Sequence, residues 1–387
     1  MENTNLLTIN FEKFIKNNKN IFTGKNIAIA VSGGADSLAL AIISNKFKYK
    51  YNYKLIAFTV DHQLRKEAAK EARHVKKLIQ DIGIDHYTLV WREEKPNTKI
   101  QESSRIARYN LLSEACNKYE CNSILLGHHA DDQVETFIIR LEANSGLDGL
   151  SCMQEKNKIL TSYGQINLIR PLINTRKKTL IEICKNNNIS WIEDPSNLDM
   201  KYSRTKIRKL LQESDVFENF NHSVALFGKL KLATYKIIYN YMKDSIKFNE
   251  TGICKMSLDN FKKLPNIFQK SLLNNLIKIV GGKKYPRKSS IINGVIKKII
   301  SLENKNTTVG GVYIIINKDS ILMSRQTDNS LKAQTLISDK NLWDRRFIVC
   351  NNTKNKKITI GPLGEKDYLL MIKLNKIQKP SINFNAI

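Results

Sequence analysis

The chain has 387 residues, 42% hydrophobic and 26% charged, enough for two or three domains with their own cores. No apolar run approaches the roughly 20 residues of a membrane helix. The start, Met1-Glu2-Asn3-Thr4-Asn5, lacks the basic-then-apolar layout of a secretory leader, so a cytoplasmic protein without a membrane partner is expected. The net charge of +27 is uneven: residues 1–220 carry 33 basic against 26 acidic side chains, residues 221–387 carry 30 against 10. A second half this basic suits a polyanion, nucleic acid first and an acidic membrane second. Lys, Asn and Ile are abundant throughout, as AT-rich coding would produce, so part of the basic excess is expected to reflect codon usage. Six cysteines (116, 121, 152, 184, 254 and 350) form no C-x-x-C pair, which fits reduced thiols.

In chain order, 26–31 reads as a strand, 32–37 as a tight turn and 38–43 as the start of a helix. Strands follow at 54–60, 86–91 and 123–127, with helices near 65–82, 101–119 and 131–143. Repeated βα units predict an α/β fold, a doubly wound parallel sheet of Rossmann-like type with helices on both faces. Ligands in such folds sit beyond the carboxyl ends of the strands. Residues 151–171 loosen into shorter segments before a helix near 177–188 and a turn at Asp194-Pro195-Ser196-Asn197. A basic stretch, 204–209, precedes a polar boundary at 211–222. Helical patterns then occupy 223–245, 256–280 and 288–302, and 308–316 with 320–324 read as a hairpin about Asn317-Lys318-Asp319. The last fifty residues are strand-like and weakly patterned. Three domains are expected: 1–215 as the α/β catalytic part, 216–305 as a helical nucleic-acid-binding domain that links on from it, and 306–387 as a small β-rich end. The last two make an α+β region, and the end soon after Pro380 allows a shortened final domain.

The turn Ser32-Gly33-Gly34-Ala35-Asp36-Ser37 has the make-up of a pyrophosphate cradle. Adjacent glycines let the backbone bend and approach a ligand. The N–H groups opening the next helix face an anion, helped by the helix dipole. Ser32 and Ser37 add hydroxyls, and Asp36 offers an oxygen to a divalent ion. No Gly-Lys-Ser/Thr follows, so this is not a Walker loop. At the end of the fourth strand, Gly127-His128-His129-Ala130-Asp131-Asp132-Gln133-Val134-Glu135-Thr136 crowds two histidines and three carboxylates into a helix start. Acidic residues in a first turn are ordinary helix stabilisers. Asp132 and Glu135 are three apart, share one helix face and can grip one cation or amine. Either histidine can donate to a phosphate oxygen.

Ser-Gly-Gly-x-Asp-Ser resembles the PP-loop of the ATP pyrophosphatases, which cleave ATP to AMP and pyrophosphate. With Val60-Asp61-His62-Gln63-Leu64-Arg65, Ser104-Arg105-Ile106-Ala107-Arg108-Tyr109, Gly127–Thr136, Ile169-Arg170-Pro171-Leu172 and Glu193–Asn197 followed by Tyr202–Arg208, the chain resembles the isoleucine-tRNA lysidine synthetase family. Ser104 stands where that family has Ala, and Thr205 where it has Asn, which puts a polar contact there in doubt. The resemblance implies ATP and Mg²⁺ as cofactors, with free L-lysine and the CAU-anticodon isoleucine tRNA as partners, and it allows a homodimer. It implies that Ser32, Gly33, Gly34, Ala35, Asp36 and Ser37 hold the phosphates, with Asp36 on the metal. Asp61, His62 and His128 then lie near the nucleotide. Arg108 and His129 contact the reacting phosphate, and Asp132 and Glu135 bind lysine. Arg204, Lys206, Arg208 and Lys209 hold the tRNA backbone. Two other enzyme classes weigh less. Thiolation of tRNA needs paired or catalytic cysteines, and glutamine-dependent amidation needs a further domain. An RNA-binding protein with a decayed nucleotide fold would not keep both intact motifs.

Overall fold

Apolar residues at alternating positions build one six-stranded sheet from β1 (Asn26–Ala30), β2 (Lys54–Asp61), β3 (Asp85–Val90), β4 (Cys121–Leu125), β5 (Lys156–Thr161) and β6 (Gly164–Ile169). The computed structural model describes residues 2–64, 67–96, 98, 100–193, 206–208, 211, 216–249, 252–282, 287–301, 306–326, 334–335, 340–344, 346–350 and 359–361. The chain divides into two units, 1–228 and 229–387.

The sheet order is β3-β2-β1-β4-β6-β5. Strands β3, β2, β1, β4 and β6 are parallel, and β5 pairs antiparallel with β6 at the edge. The expected parallel sheet is thus present with one addition. The region 151–171, read as short segments, is a hairpin whose second strand extends the sheet through Ser123↔Asn167 and Leu125↔Ile169. Its residues alternate weakly in hydrophobicity because β5 faces solvent along most of its length.

The helices of this unit are α1 (Glu2–Asn17), α2 (Lys19–Phe22), α3 (Ala35–Phe47), α4 (Ala68–Asp81), α5 (Ile100–Lys118), α6 (Ala130–Glu142), α7 (Leu147–Leu150) and α8 (Lys177–Asn186). The two faces of the sheet carry separate cores. Ile27, Ile29, Leu55, Ala57 and Leu125 pack with α1, α3, α4 and α8. Ala28, Ile56, Phe58, Ile124 and Leu168 pack with α5 through Tyr109, Leu112 and Cys116. This is the period-two signature of a sheet covered on both sides. Helix α1 was not anticipated; its Leu7, Phe11 and Ile15 are spaced for one helix face and are all buried. Strand order reverses between β1 and β4, which opens a crevice above their carboxyl ends.

A long helix, α9 (Phe217–Ser245), begins inside the segment read as a polar boundary, and the division between units falls within it. In the second unit, β7 (Ile246–Phe248), β8 (Cys254–Ser257), β9 (Asn306–Val309), β10 (Val312–Ile316) and β11 (Ser320–Arg325) form an antiparallel sheet ordered β7-β8-β11-β10-β9. Helices α10 (Leu258–Lys263), α11 (Asn266–Gly281) and α12 (Ser289–Ser301) share one core with it, including Phe261, Leu272, Ile292, Ile314 and Met323. The helical pattern expected over 256–280 is corrected here. Residues 254–257 are a strand, Ser257 Oγ accepts from the Asn260 N–H at 3.3 Å to start α10, and Pro265 separates it from α11. The single strand expected over 308–316 is also two strands. Gly310 and Gly311, with φ of 63° and 80°, make a two-residue turn between β9 and β10. The expected hairpin about Asn317-Lys318-Asp319 joins β10 to β11. Among the described late residues, β12 (Gln334–Thr335) pairs with β15 (Thr359–Ile360) and β13 (Lys340–Trp343) with β14 (Phe347–Cys350).

Phe11 is 1% exposed and its ring lies 6.0 Å from that of Phe47. Phe11→Ala should therefore destabilise the first unit by about 3–5 kcal/mol, read by chemical denaturation.

Candidate active site

The crevice above β1, β2 and β4 is a cavity of about 1060 Å³. Ser32, Gly34, Asp36, Ser37, Asp61, His62, Arg108, His128 and Asp132 line it. Nine expected site residues from four separate stretches of sequence are brought together there. Gly33, Ala35, His129 and Glu135 stand behind its wall, as part of the support.

The loop is held by its carbonyls. The Val31 carbonyl accepts from Thr59 Oγ1 at 2.8 Å, and the Gly33 carbonyl from the Ile192 N–H at 2.9 Å. The Gly34 carbonyl accepts from Ser37 Oγ at 2.9 Å, and the Ala35 carbonyl from Cys184 Sγ at 3.4 Å. Oxygens that would repel an anion are thereby turned toward protein donors, which leaves the N–H pole of α3 for a ligand. Gly33 has φ of 89°, and a Cβ there would lie 2.7 Å from Val75 Cγ2. The Ser32 and Ser37 hydroxyls are 3.3 Å apart.

Gly127 joins the two motifs. A Cβ on it would sit 3.0 Å from the Asp36 carbonyl oxygen and 3.1 Å from the Ser37 nitrogen, with backbone on that side. Only a residue without a side chain lets the chain leaving β4 run this close to the first turn of α3. Gly127→Ala should lower both stability, by about 1–3 kcal/mol, and ATP-dependent turnover; thermal unfolding and pyrophosphate release check this.

His129 caps α6. Its Nδ1 accepts from the Asp132 N–H at 3.3 Å, and Asp132 Oδ2 accepts from the His129 N–H at 3.2 Å. That bond leaves Nε2 as the protonated nitrogen, 3.4 Å from Asp36 Oδ2. Burial opposes charge on this ring, but Asp36, Asp132 and Asp131 outweigh it and raise its pKa. Burial likewise raises the Asp36 carboxyl, while the His129 bond and the charges of Lys177 and Arg208 outweigh it and hold the group below its ordinary value. Asp36 Oδ1 is buried with no hydrogen-bond partner. An ionised oxygen in that state fits a divalent cation. Among the described residues no trio of His, Cys, Asp or Glu is placed to hold a metal ion.

The opposite wall is cationic. Arg105 and Arg108 lie over the Tyr109 ring at 5.1 and 5.2 Å, and neither has a carboxylate within ion-pair distance among the described residues. Burial, then Arg170, Arg108, Arg105 and His129, push His128 down to about 3, and its Nδ1 has no partner. His62 is lowered by burial and by Arg108, against Asp61, and its ring stands edge-on to Trp91 at 5.9 Å. Asp61 is buried and accepts from the Gln63 N–H at 2.8 Å. Arg170 is buried and donates to the Gln154 carbonyl and Asn157 Oδ1, fastening the β5–β6 hairpin.

Two expected roles meet in one pair. Glu135, 1% exposed, accepts from Arg208 Nε at 2.6 Å and Nη2 at 3.3 Å, so the residue expected on lysine and a residue expected on tRNA are each other's partners. Lys206 is exposed, while Arg204 and Lys209 lie outside the described residues. Asp131 works structurally: its Oδ2 accepts from the Lys177 N–H at 2.7 Å and so caps α8. Thr59, Cys184 and Ile192 carry no motif signal; their roles come from strand register and helix packing.

A PP-loop domain family matches residues 4–214, more than half of the chain. The tRNA(Ile)-lysidine synthase of Orientia tsutsugamushi (strain Boryong) is 32% identical over 358 residues, covering 89% of this chain and 80% of that protein. The one from Rickettsia prowazekii (strain Madrid E) is 32% identical over 370 residues, covering 92% and 84%. The chain belongs to the tRNA(Ile)-lysidine synthase family. It is accordingly a ligase of the PP-loop ATP pyrophosphatase type. Among solved structures, a U34-tRNA thiolase from Methanococcus maripaludis has a TM-score of 0.45 at 16% identity, covering 57% of this chain and 78% of its own. An NH3-dependent NAD synthetase from Campylobacter jejuni has 0.34 at 15%, covering 58% and 96%.

In this lysidine synthase family member, neutral buried imidazoles set an acid limit. His86, lowered to about 4 by burial and by Lys76, joins His128 at about 3, both below the usual value near 6.5. The unfolded chain takes up these two protons as pH falls below about 6.5 and the folded chain refuses them, so stability is full above that pH and declines toward about pH 4. Denaturant unfolding at about pH 7.5, 6 and 5 checks this, and His128→Asn should flatten the decline.

Proposed function

We propose that the chain joins free L-lysine to C2 of the wobble cytidine in the CAU anticodon of isoleucine tRNA, through an adenylated cytidine, releasing AMP and pyrophosphate. The product would read AUA in place of AUG and carry isoleucine identity. The observation that carries this reading is the shared cavity of two motifs: a loop with its carbonyls turned away, and a helix start bearing Asp132 beside His129 and Asp36. Family membership adds the substrate class.

The cytosine 2-carbonyl oxygen attacks the α-phosphorus of ATP, and pyrophosphate leaves. The lysine ε-amine then attacks the same carbon and AMP leaves. Ser32–Ser37 would cradle the phosphates, and Asp36 would hold Mg²⁺, which supplies charge neutralisation when bound. Arg108 lines the cavity and would meet the phosphate where charge builds, while His129, behind the wall with its Nε2–H on Asp36, would act by orienting that carboxylate. The amine must be deprotonated before it attacks, and Asp132, a carboxylate of the cavity wall at the start of α6, would position it or take that proton. Glu135, buried on Arg208, would then act by holding that arm of the chain. Residues 1–215 are read as the catalytic part, and 216–305 with 306–387 as the basic part that holds tRNA. The target base lies in a single-stranded loop, where splaying it out costs little. Among the described residues no helix is long and apolar enough to cross a membrane, and the reading places the reaction in the cytoplasm.

Thiolation is disfavoured by the cysteines. Cys116 and Cys121 are buried, and burial pushes both thiols up, Cys121 to about 11.

The test is incorporation of labelled lysine into a CAU-anticodon isoleucine tRNA transcript with Mg-ATP. Incorporation should need ATP and vanish when the wobble cytidine is changed. Pyrophosphate release without lysine incorporation would overturn lysine as the nucleophile. Asp132→Asn should cut incorporation by about 100-fold or more with the fold intact, and a wild-type rate would remove Asp132 from the mechanism.

A further inference from the structure

Strand β1 leaves the sheet at the point where the nucleotide loop begins. The Val31 N–H still makes its ladder bond to the Phe58 carbonyl at 2.9 Å. Among the described residues the Val31 carbonyl has no backbone partner, because the chain turns away after it. Thr59 Oγ1 replaces the missing rung, donating to that carbonyl at 2.8 Å.

Thr59 has one hydroxyl hydrogen, and Val31 takes it. The 2.8 Å contact between Thr59 Oγ1 and His86 Nε2 must then run from the ring N–H to the hydroxyl oxygen. This fixes the His86 tautomer, with Nδ1 bare, buried and without a partner. The result is a line of hydrogen bonds across β3, β2 and β1, ending at the residue before Ser32. Thr59 and His86 are 6% and 5% exposed, and Thr59 is itself part of the cavity wall. Neither belongs to a motif of the reaction, and the cost of burying these two polar side chains is offset by the bonds that tie them to each other and to the start of the loop.

We propose that Thr59 and His86 are positioning residues for the nucleotide: their hydrogen-bond line holds the Val31 carbonyl back from the phosphate cradle. The inference rests on the reading of Ser32–Ser37 as an ATP site. Without the Thr59 hydroxyl, the Val31 oxygen is left unsatisfied at the cavity edge and is free to turn toward bound phosphate, where it repels. His86 sharpens the Thr59 bond by donating into the same oxygen, since bonds in a chain polarise one another. Its ring stays neutral across physiological pH, because burial and Lys76 keep its pKa at about 4, so the line keeps one polarity.

The experiment is equilibrium binding of Mg-ATP to the full chain, with thermal unfolding alongside. Thr59→Val, matched in shape, should bind ATP about tenfold more weakly, and Thr59→Ser should return to within about twofold of wild type. His86→Phe should give a smaller loss, about two- to fivefold, because the Thr59–Val31 bond survives. Unchanged affinity in Thr59→Val, or in His86→Phe should Thr59→Val not fold, overturns the inference. So does a Thr59→Ser variant as weak as Thr59→Val, which would make packing the cause. If the wild-type chain binds no Mg-ATP, the ATP reading of the loop fails and this inference falls with it.

Discussion

A backbone loop can attract phosphate only after its carbonyl oxygens are occupied elsewhere, because each peptide carries an acceptor as strong as its donor. In this chain the carbonyls of Val31, Gly33, Gly34 and Ala35 are taken by Thr59, Ile192, Ser37 and Cys184. Those partners come from β2, from the segment after α8, from the loop itself and from α8. Much of the architecture of the first unit is needed to supply them. The packing of α3 on α8 and the parallel pairing of β1 with β2 are thus conditions for the loop's polarity as well as for the core.

The charge layout follows the same division of labour. Carboxylates gather on the α3–α6 side, where Asp36 and Asp132 flank His129. Guanidiniums gather on the α5 side, around a His128 that burial and their charge keep neutral. Opposite walls of one cavity thereby offer an anion-seeking surface and a cation-seeking one. The proposed joining of an activated base to an amine would use both.

The sequence displayed the sheet and the cavity well, since both rest on local signals. Strand-turn-helix patterns and glycine pairs are written in adjacent residues, and residues as distant as Ser32 and Asp132 were placed at the same sheet edge by topology alone. What stayed illegible depends on tertiary partners. Spacing puts Asp132 and Glu135 on one helix face, but only the fold brings Arg208 against Glu135. Thr59 reads as one more β-branched strand residue until its strand is placed beside Val31 and His86. The break at Ser257 and Pro265 went unread because the apolar pattern continues across it, whereas the two-glycine turn at 310–311 was swallowed by a run of β-formers. Helix α1 hid behind its Asn and Thr residues, which depress helix propensity although its buried face is regularly spaced.

The contact at Gly127 joins the loop to the α6 motif backbone against backbone, without an intervening side chain. Rotamer changes therefore have no hold on the spacing between these two parts of the site, and dissolved ions have little. Ion pairs and phosphate contacts loosen as salt rises. Grip on a polyanion and geometry of the reacting centre would thus answer to different variables: high ionic strength would release the proposed nucleic-acid partner while the catalytic edge keeps its dimensions.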